Sequence, residues 1–232
     1  TSPNSMQEAV QKYDKLYNGT SDENPFVILK CPWCGAQMGV VNKKGKLRET
    51  PGYKKIKTGA SKRIVFQCSN SKHHCEFSQS GYELPLYIVD GDIYEKTPTL
   101  LLGTVDKFAM LPYRPEAQSI FGLKNGRRVT APDLIIQDEL HLISGPLGSM
   151  VGHYETMINE LSSYNSGSRI IKPKIIASTA TISRASEQCH ALYGCGKNNV
   201  KQFPPSGLDA GDSFFAVEDK QAAGRRYVGI LA

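Results

Sequence analysis

Asp133-Leu134-Ile135-Ile136-Gln137-Asp138-Glu139-Leu140-His141 is the stretch on which the reading of this chain turns. Its apolar run, rich in β-branched residues and without alternation, predicts a strand buried on both faces, as in a parallel sheet. In open α/β sheets ligands sit just beyond the carboxyl ends of the strands. Asp138 and Glu139 then stand where a nucleotide and its metal would bind. Neighbouring side chains at a strand end diverge, so one carboxylate can hold a hydrated Mg²⁺ while the other polarises a water. The competing reading is a helix N-terminus, where acidic residues are favoured by the helix dipole.

The chain around this stretch has 232 residues, 40% of them apolar, enough for a packed core. No apolar run approaches the length of a membrane span, and no charged-then-apolar signal segment opens the chain. The expectation is a cytoplasmic protein without a membrane partner. The chain starts Thr1-Ser2-Pro3 and ends on the apolar Gly229-Ile230-Leu231-Ala232, so both ends read as cut from something longer. The formal charge is +6, but it is unevenly spread. Lys43, Lys44, Lys46, Arg48, Lys54, Lys55, Lys57, Lys62 and Arg63 face Glu49 alone. Such a cluster is either a solvated surface loop or a phosphate-contacting patch; the second reading gains from the clustering and from Tyr53 within it.

Upstream, Met6, Val10, Tyr13 and Tyr17 recur at helical spacing and predict an amphipathic helix over 5–17, broken by Asn18-Gly19. Cys31-Pro32-Trp33-Cys34-Gly35 follows, and then Cys68 and Cys75 with His73 and His74 between them. A Cys-x-x-Cys followed by glycine is the usual zinc knuckle, because the small residue permits the turn that aims both thiolates at one point. Cys31, Cys34, Cys68 and Cys75 are therefore the candidate ligands of a structural Zn²⁺, with His73 or His74 as a substitute for one of the last two. A redox Cys-x-x-Cys would not call for the second pair. Gln37–Asn42 and Arg63–Gln67 alternate, which suggests the hairpins of a zinc ribbon. Cys189 falls on an apolar helix face with Ala185, Leu192 and Tyr193, which predicts a core position.

From Glu83 onward the texture is α/β. Leu84–Val89, Pro98–Gly103, the opening stretch and Lys174–Ser178 read as strands, the last three buried. A helix is expected over 149–162, and another after Ser183, which would cap it. Strands ending in hydroxyls or carboxylates, each followed by a helix, predict a parallel sheet with right-handed crossovers and a polar edge that forms the site.

Asp138-Glu139-Leu140-His141, followed some forty residues later by Ser178-Thr179-Ala180-Thr181, resembles motifs II and III of superfamily 2 DExH-box helicases. The resemblance implies the first RecA-like domain of an ATP-dependent helicase. Asp138 would coordinate the Mg²⁺ of MgATP, Glu139 would activate the hydrolytic water, and His141 with Ser178–Thr181 would couple nucleotide to strand movement. Thr104-Val105-Asp106-Lys107-Phe108 is similar to the motif Ib region, which implies nucleic-acid contacts by Thr104 and Lys107, beside those expected of Lys54, Lys55 and Lys57. The wider wording around Leu100–Phe108 and Phe203–Asp209 is similar to the large DISARM phage-defence helicases. That implies DNA ahead of RNA as the partner, together with other defence-system subunits. The resulting division is an N-terminal helix and linker (1–23), a zinc-ribbon-like module with a basic loop (24–82), a partial RecA-like domain (83–200) and a linker toward a second motor domain (201–232).

One departure from the family weighs heavily. No Gly-x-x-x-x-Gly-Lys-[Ser/Thr] occurs; the nearest approach, Gly39 to Gly45-Lys46, is one residue too long and continues with Leu47. The phosphate cradle of an ATPase must then come from another segment, and this chain alone is expected to be inactive. Gln221–Arg226 mimics an arginine-bearing motif of the second motor domain but follows Thr181 too closely to be one. Two other classes stay open: a zinc-bearing nucleic-acid-binding module on an inactive RecA-like remnant, and a hydrolase using Asp138, Glu139 and His141 on its own metal.

Overall fold

The computed structural model describes residues 3–21, 23–40, 50–59, 61–70, 75–143, 145–180, 184–205, 207–209 and 211–229. Lys43, Lys44, Lys46, Arg48, Glu49, His73, His74, Thr181 and Ser183 lie outside them. The chain divides into two compact units, residues 1–135 with 157–176, and residues 136–156 with 177–232.

The first unit begins with α1 (Met6–Tyr17). Ser5 caps it by accepting from the Glu8 N–H at 3.2 Å, and the Glu8 carboxylate reaches back to the Asn4 N–H at 2.8 Å. This reciprocal arrangement satisfies two backbone donors at the helix start. Ala9, Tyr13 and Leu16 share one face of α1 and are buried in a core with Phe26, Met38, Tyr53, Ile64 and Phe66. Phe26, Tyr53 and Phe66 meet edge to face, with ring centroids 5.2 to 6.2 Å apart. The expected N-terminal helix is thus part of the same core as the cysteine region, not a leader to it.

Beneath α1 runs an antiparallel hairpin, β1 (Tyr53–Thr58) and β2 (Ser61–Phe66), with Tyr53 opposite Phe66 and Lys57 opposite Lys62. The lysine-rich stretch expected as a loop is a paired strand over its second half. Of the two expected ribbon segments, Arg63–Gln67 largely coincides with β2; in the other, Gln37 forms an isolated bridge with Lys30, and residues 41 and 42 lie outside the described ones. α2 (Asp90–Lys96) and α3 (Val105–Ala109) follow. A tight hairpin then joins β3 (Leu123–Lys124) to β4 (Arg127–Arg128) through Asn125 and Gly126, both at positive φ. Gly122 sits left-handed at φ +71°, and a Cβ there would lie 1.6 Å from the Thr130 carbonyl oxygen, so no other residue fits without moving backbone.

Two expected strands do not form. Leu84 and Val89 are buried, but this segment gives one bond to β2, Leu84 N–H to Phe66 C=O, and no ladder. The Pro98–Gly103 run is unpaired, with Leu100 and Leu102 72% and 86% exposed. Apolar composition there reflects packing or exposed surface rather than strand pairing.

β5 (Leu134–Gln137) pairs with β8 (Lys174–Ala177), and the boundary between the two units passes through both strands. The Lys174 N–H bonds to the Asp133 carbonyl and the Ser178 N–H to the Gln137 carbonyl, each at 2.8 Å, so the two strands run parallel. The expected parallel pairing holds for these strands, within a mixed α/β fold whose described sheets are all two-stranded. Burial on both faces does not hold. Leu134 and Ile136 are 49% and 64% exposed, because one neighbouring strand and one covered face leave alternate side chains open.

α4 (Gly145–Ser162) starts earlier than the expected helix, and its last turns join the first unit together with the hairpin of β6 (Tyr164–Ser166) and β7 (Arg169–Ile171). α5 (Ala185–Tyr193) is closed by Gly194 at φ +62°, whose N–H bonds to the His190 carbonyl at 3.0 Å. Its N-cap position is Arg184 rather than the expected Ser183, and Cys189 on it is half-buried rather than core.

Candidate functional site

In the first unit the chain folds two short segments against each other to gather four thiols. The Cys31 N–H bonds to the Ala36 carbonyl and the Gly35 N–H to the Cys31 carbonyl, each at 2.8 Å, with Gly35 at φ +73°. Glycine after the second cysteine is what lets this turn close. Opposite it, the Cys68 N–H bonds to the Phe77 carbonyl and the Ser78 N–H to the Cys75 carbonyl, each at 2.8 Å. The ligand atoms of Cys31, Cys34, Cys68 and Cys75 all lie within 4.8 Å of one another, and the sulfurs of Cys34 and Cys68 are 3.5 Å apart. Tetrahedral zinc with Zn–S bonds of about 2.3 Å needs sulfurs about 3.8 Å apart, so the cluster can hold a metal ion and its geometry is consistent with structural zinc. A full set of four sulfurs leaves no open position for catalysis.

The surroundings of these sulfurs are polarised. A hydrogen bond from the Ala36 backbone N–H draws the Cys34 thiol down to about 7, while burial pushes Cys68 up to about 12 and raises Cys75 too. The Asn70 N–H donates to the Cys68 sulfur at 3.3 Å, and its side-chain amide lies 3.9 Å from that of Cys34. Sequence reasoning passed over Asn70; a short polar residue two positions after a ligand cysteine was the available signal.

In the second unit β5 ends at Gln137, and Asp138 and Glu139 lie beyond it, both exposed. The carboxylate pair lies between the end of β5 and a single 3-10 turn, Leu140–Leu142, whose N-cap position is Glu139. Glu139 is held at φ +55°, a left-handed conformation unusual for a residue with a Cβ, and its N–H is accepted by the Asp138 carboxylate at 3.0 Å. The turn continues through the Leu140 N–H, which bonds to the Ser178 carbonyl at 2.9 Å, with the Leu140 side chain buried. That bond brings the end of β8 against the turn. His141 Nδ1 consequently lies 3.2 Å from the Glu139 carboxylate, 3.4 Å from the Ala180 N–H and 3.5 Å from the Thr179 hydroxyl. Asp138, Glu139, His141, Ser178, Thr179 and Ala180 thus meet in one place, although the two segments are far apart in sequence. One ring nitrogen there faces both a carboxylate and a backbone donor, so it can serve one or the other but not both in a single protonation state.

Behind this turn the Tyr193 hydroxyl donates to the Gln137 side-chain carbonyl. Burial, and then the charge of Glu155, raise the Tyr193 phenol. Glu155 on α4 is half-buried, and burial raises its carboxyl above the ordinary glutamate value. Glu155 was not singled out from sequence, since helical periodicity marks which face is apolar but not which polar residue lies within it.

The expected nucleic-acid residues are scattered through the first unit. Thr104 is exposed at the N-cap position of α3. Lys107 is taken up by the Asp90 carboxylate at 3.0 Å and by the Asn4 side-chain carbonyl at 2.9 Å. Lys55 pairs with the Asp14 carboxylate and lies over the Tyr13 ring at 5.9 Å. Lys54 and Lys57 are exposed on β1. No helix among the described residues is long and apolar enough to cross a membrane.

No protein-family model matches the chain. The chain is 40% identical, over 219 aligned residues, to the DISARM protein DrmA of Bacillus paralicheniformis, a match that takes in 82% of this chain and 18% of that protein. It therefore spans about a fifth of the length of the curated relative to which it is similar.

Proposed function

We propose that this chain is a segment of a DISARM phage-defence protein and carries part of an ATP-dependent superfamily 2 helicase or translocase motor, of the RecA-like kind, acting on DNA. The observation that carries this reading is the junction at His141, whose ring stands between the Glu139 carboxylate beyond one parallel strand and Thr179 and Ala180 beyond the other. Asp138 would hold the Mg²⁺ of the nucleotide and Glu139 would orient and deprotonate the attacking water. His141, with Ser178, Thr179, Ala180 and Thr181, would report the state of the nucleotide to the strand path. MgATP supplies the phosphoryl group to be transferred. This chain's own residues contribute position and charge. The likeness to DrmA supports the defence assignment, and the P-loop and second motor domain would lie elsewhere in the longer protein. Zinc on the four cysteines would serve the fold rather than the chemistry.

The absence of a phosphate-binding loop within these 232 residues favours a second reading, a zinc-bearing nucleic-acid-binding module on an inactive remnant. DNA-stimulated ATP hydrolysis by the natural full-length protein separates the two. The parent should turn over ATP, and Glu139→Gln should lower kcat at least 100-fold while leaving DNA binding intact. Hydrolysis at the parent rate in Glu139→Gln would overturn the motor reading.

A further inference from the structure

The basic residues of the β1–β2 hairpin divide sharply in what they touch. Lys55 is taken up by Asp14, and Arg63 lies 4.0 Å from both Glu83 and Asp92. Lys57 and Lys62 differ. They stand directly opposite each other in the register, both exposed at the turn end of the hairpin, and among the described residues neither has a carboxylate partner. Directly opposed residues of an antiparallel pair hold their Cβ atoms about 5 Å apart, and like charges there destabilise the pair. The hairpin keeps this repulsion at its turn end, whereas Lys55 and Arg63 have carboxylate partners. An anion placed between the two ammonium groups removes the repulsion.

We propose that Lys57 and Lys62 form a two-lysine clamp on the phosphate backbone of a nucleic acid, an assignment that rests on the nucleic-acid partner proposed above. Charge complementarity selects a polyanion. Between Lys57 and Lys62 the sequence, Thr58-Gly59-Ala60-Ser61, holds no large apolar residue to insert into a bilayer, which argues against an anionic membrane as the occupant. Lysines act on phosphates as point charges without reading bases, so the clamp fixes the path of a strand rather than its sequence. Lys54 projects from the other face of β1 by strand alternation and is not part of the pair.

The test uses the natural full-length protein and a short fluorescein-labelled single-stranded DNA, with anisotropy followed across a salt series. Each phosphate contact to a single strand contributes about 0.7 to the slope of log affinity against log salt, so Lys57→Gln/Lys62→Gln should flatten the slope by about 1.4. Lys57→Arg/Lys62→Arg should retain the parent slope. A glutamine double variant with the parent slope, in a parent that binds DNA, would overturn the clamp alone. A parent that fails to bind DNA at low salt would overturn the nucleic-acid reading beneath it. Loss of binding to phosphatidylserine vesicles in the double variant, with DNA binding unchanged, would move the site to a membrane and likewise overturn the clamp.

Discussion

Glu155 is a carboxylate half-buried on α4 whose ordinary titration is raised by burial, beside a tyrosine whose hydroxyl is committed to Gln137. A carboxyl whose folded pKa lies above its unfolded value binds its proton more tightly in the native state. Its contribution to stability is fully present below the ordinary value of 4.5 and is lost as the pH rises through the folded pKa. At neutral pH the ionised group is therefore a liability. Glu155→Gln should raise resistance to urea at pH 7, and the advantage should fade as the pH is brought down to about 4. Urea titrations of parent and variant at both pH values decide it; an equal difference at the two would mean that the effect is not electrostatic. Asp138 and Glu139 could be singled out from the sequence because two adjacent carboxylates after an apolar run are a local pattern. Glu155 could not, because its burial and its charge effect on Tyr193, distant in sequence, leave no local pattern.

Among the elements, the cysteine segments and the β1–β2 hairpin share one core, with Cys31, Cys68 and Cys75 buried beside Tyr53, Ile64 and Phe66. Metal binding at such a cluster is coupled to folding, since the unfolded chain offers no preformed site. Purified protein should carry about one zinc per chain, as four sulfurs complete one tetrahedral site. Cys68→Ser should release it and lower the melting temperature of the first unit by 10 °C or more, on the order expected for loss of a structural metal from a small core. Elemental analysis and thermal unfolding with and without chelator check both halves, and a metal-free parent that melts unchanged with chelator would remove zinc from the fold. Here the spacing Cys31-x-x-Cys34-Gly35 was readable because the knuckle is a local turn. The hairpin across Asn125-Gly126 carried an equally local turn signal and went unread, the strands on either side being only two residues long. The expected strands at Leu84–Val89 and Pro98–Gly103 failed for the opposite reason. A strand exists only through its partner, and apolar composition does not say whether one is present.

At the scale of the whole molecule, the proposed motor reading makes the carboxylate pair one part of a larger site. Phosphoryl transfer depends on holding the β- and γ-phosphates in line with the attacking water, and nothing in residues 1–232 matches the loop that does so. Residues 1–232 alone should show no Mg²⁺-dependent ATP hydrolysis above background in a phosphate-release assay, whereas the natural full-length protein should. Turnover by the short chain would mean that a phosphate cradle of another kind lies within it. Local spacing was enough to name the four cysteines, the strand-end carboxylates and the helix over Met6–Tyr17, because each depends on neighbours within a few residues. Distant contacts determined the rest. They placed His141 against Thr179 and Ala180, committed Lys55 to Asp14 and Lys107 to Asp90, and set Lys57 against Lys62. Which charges are neutralised and which polar groups converge depends on the segments that fold against one another, and spacing along the chain carries no record of that.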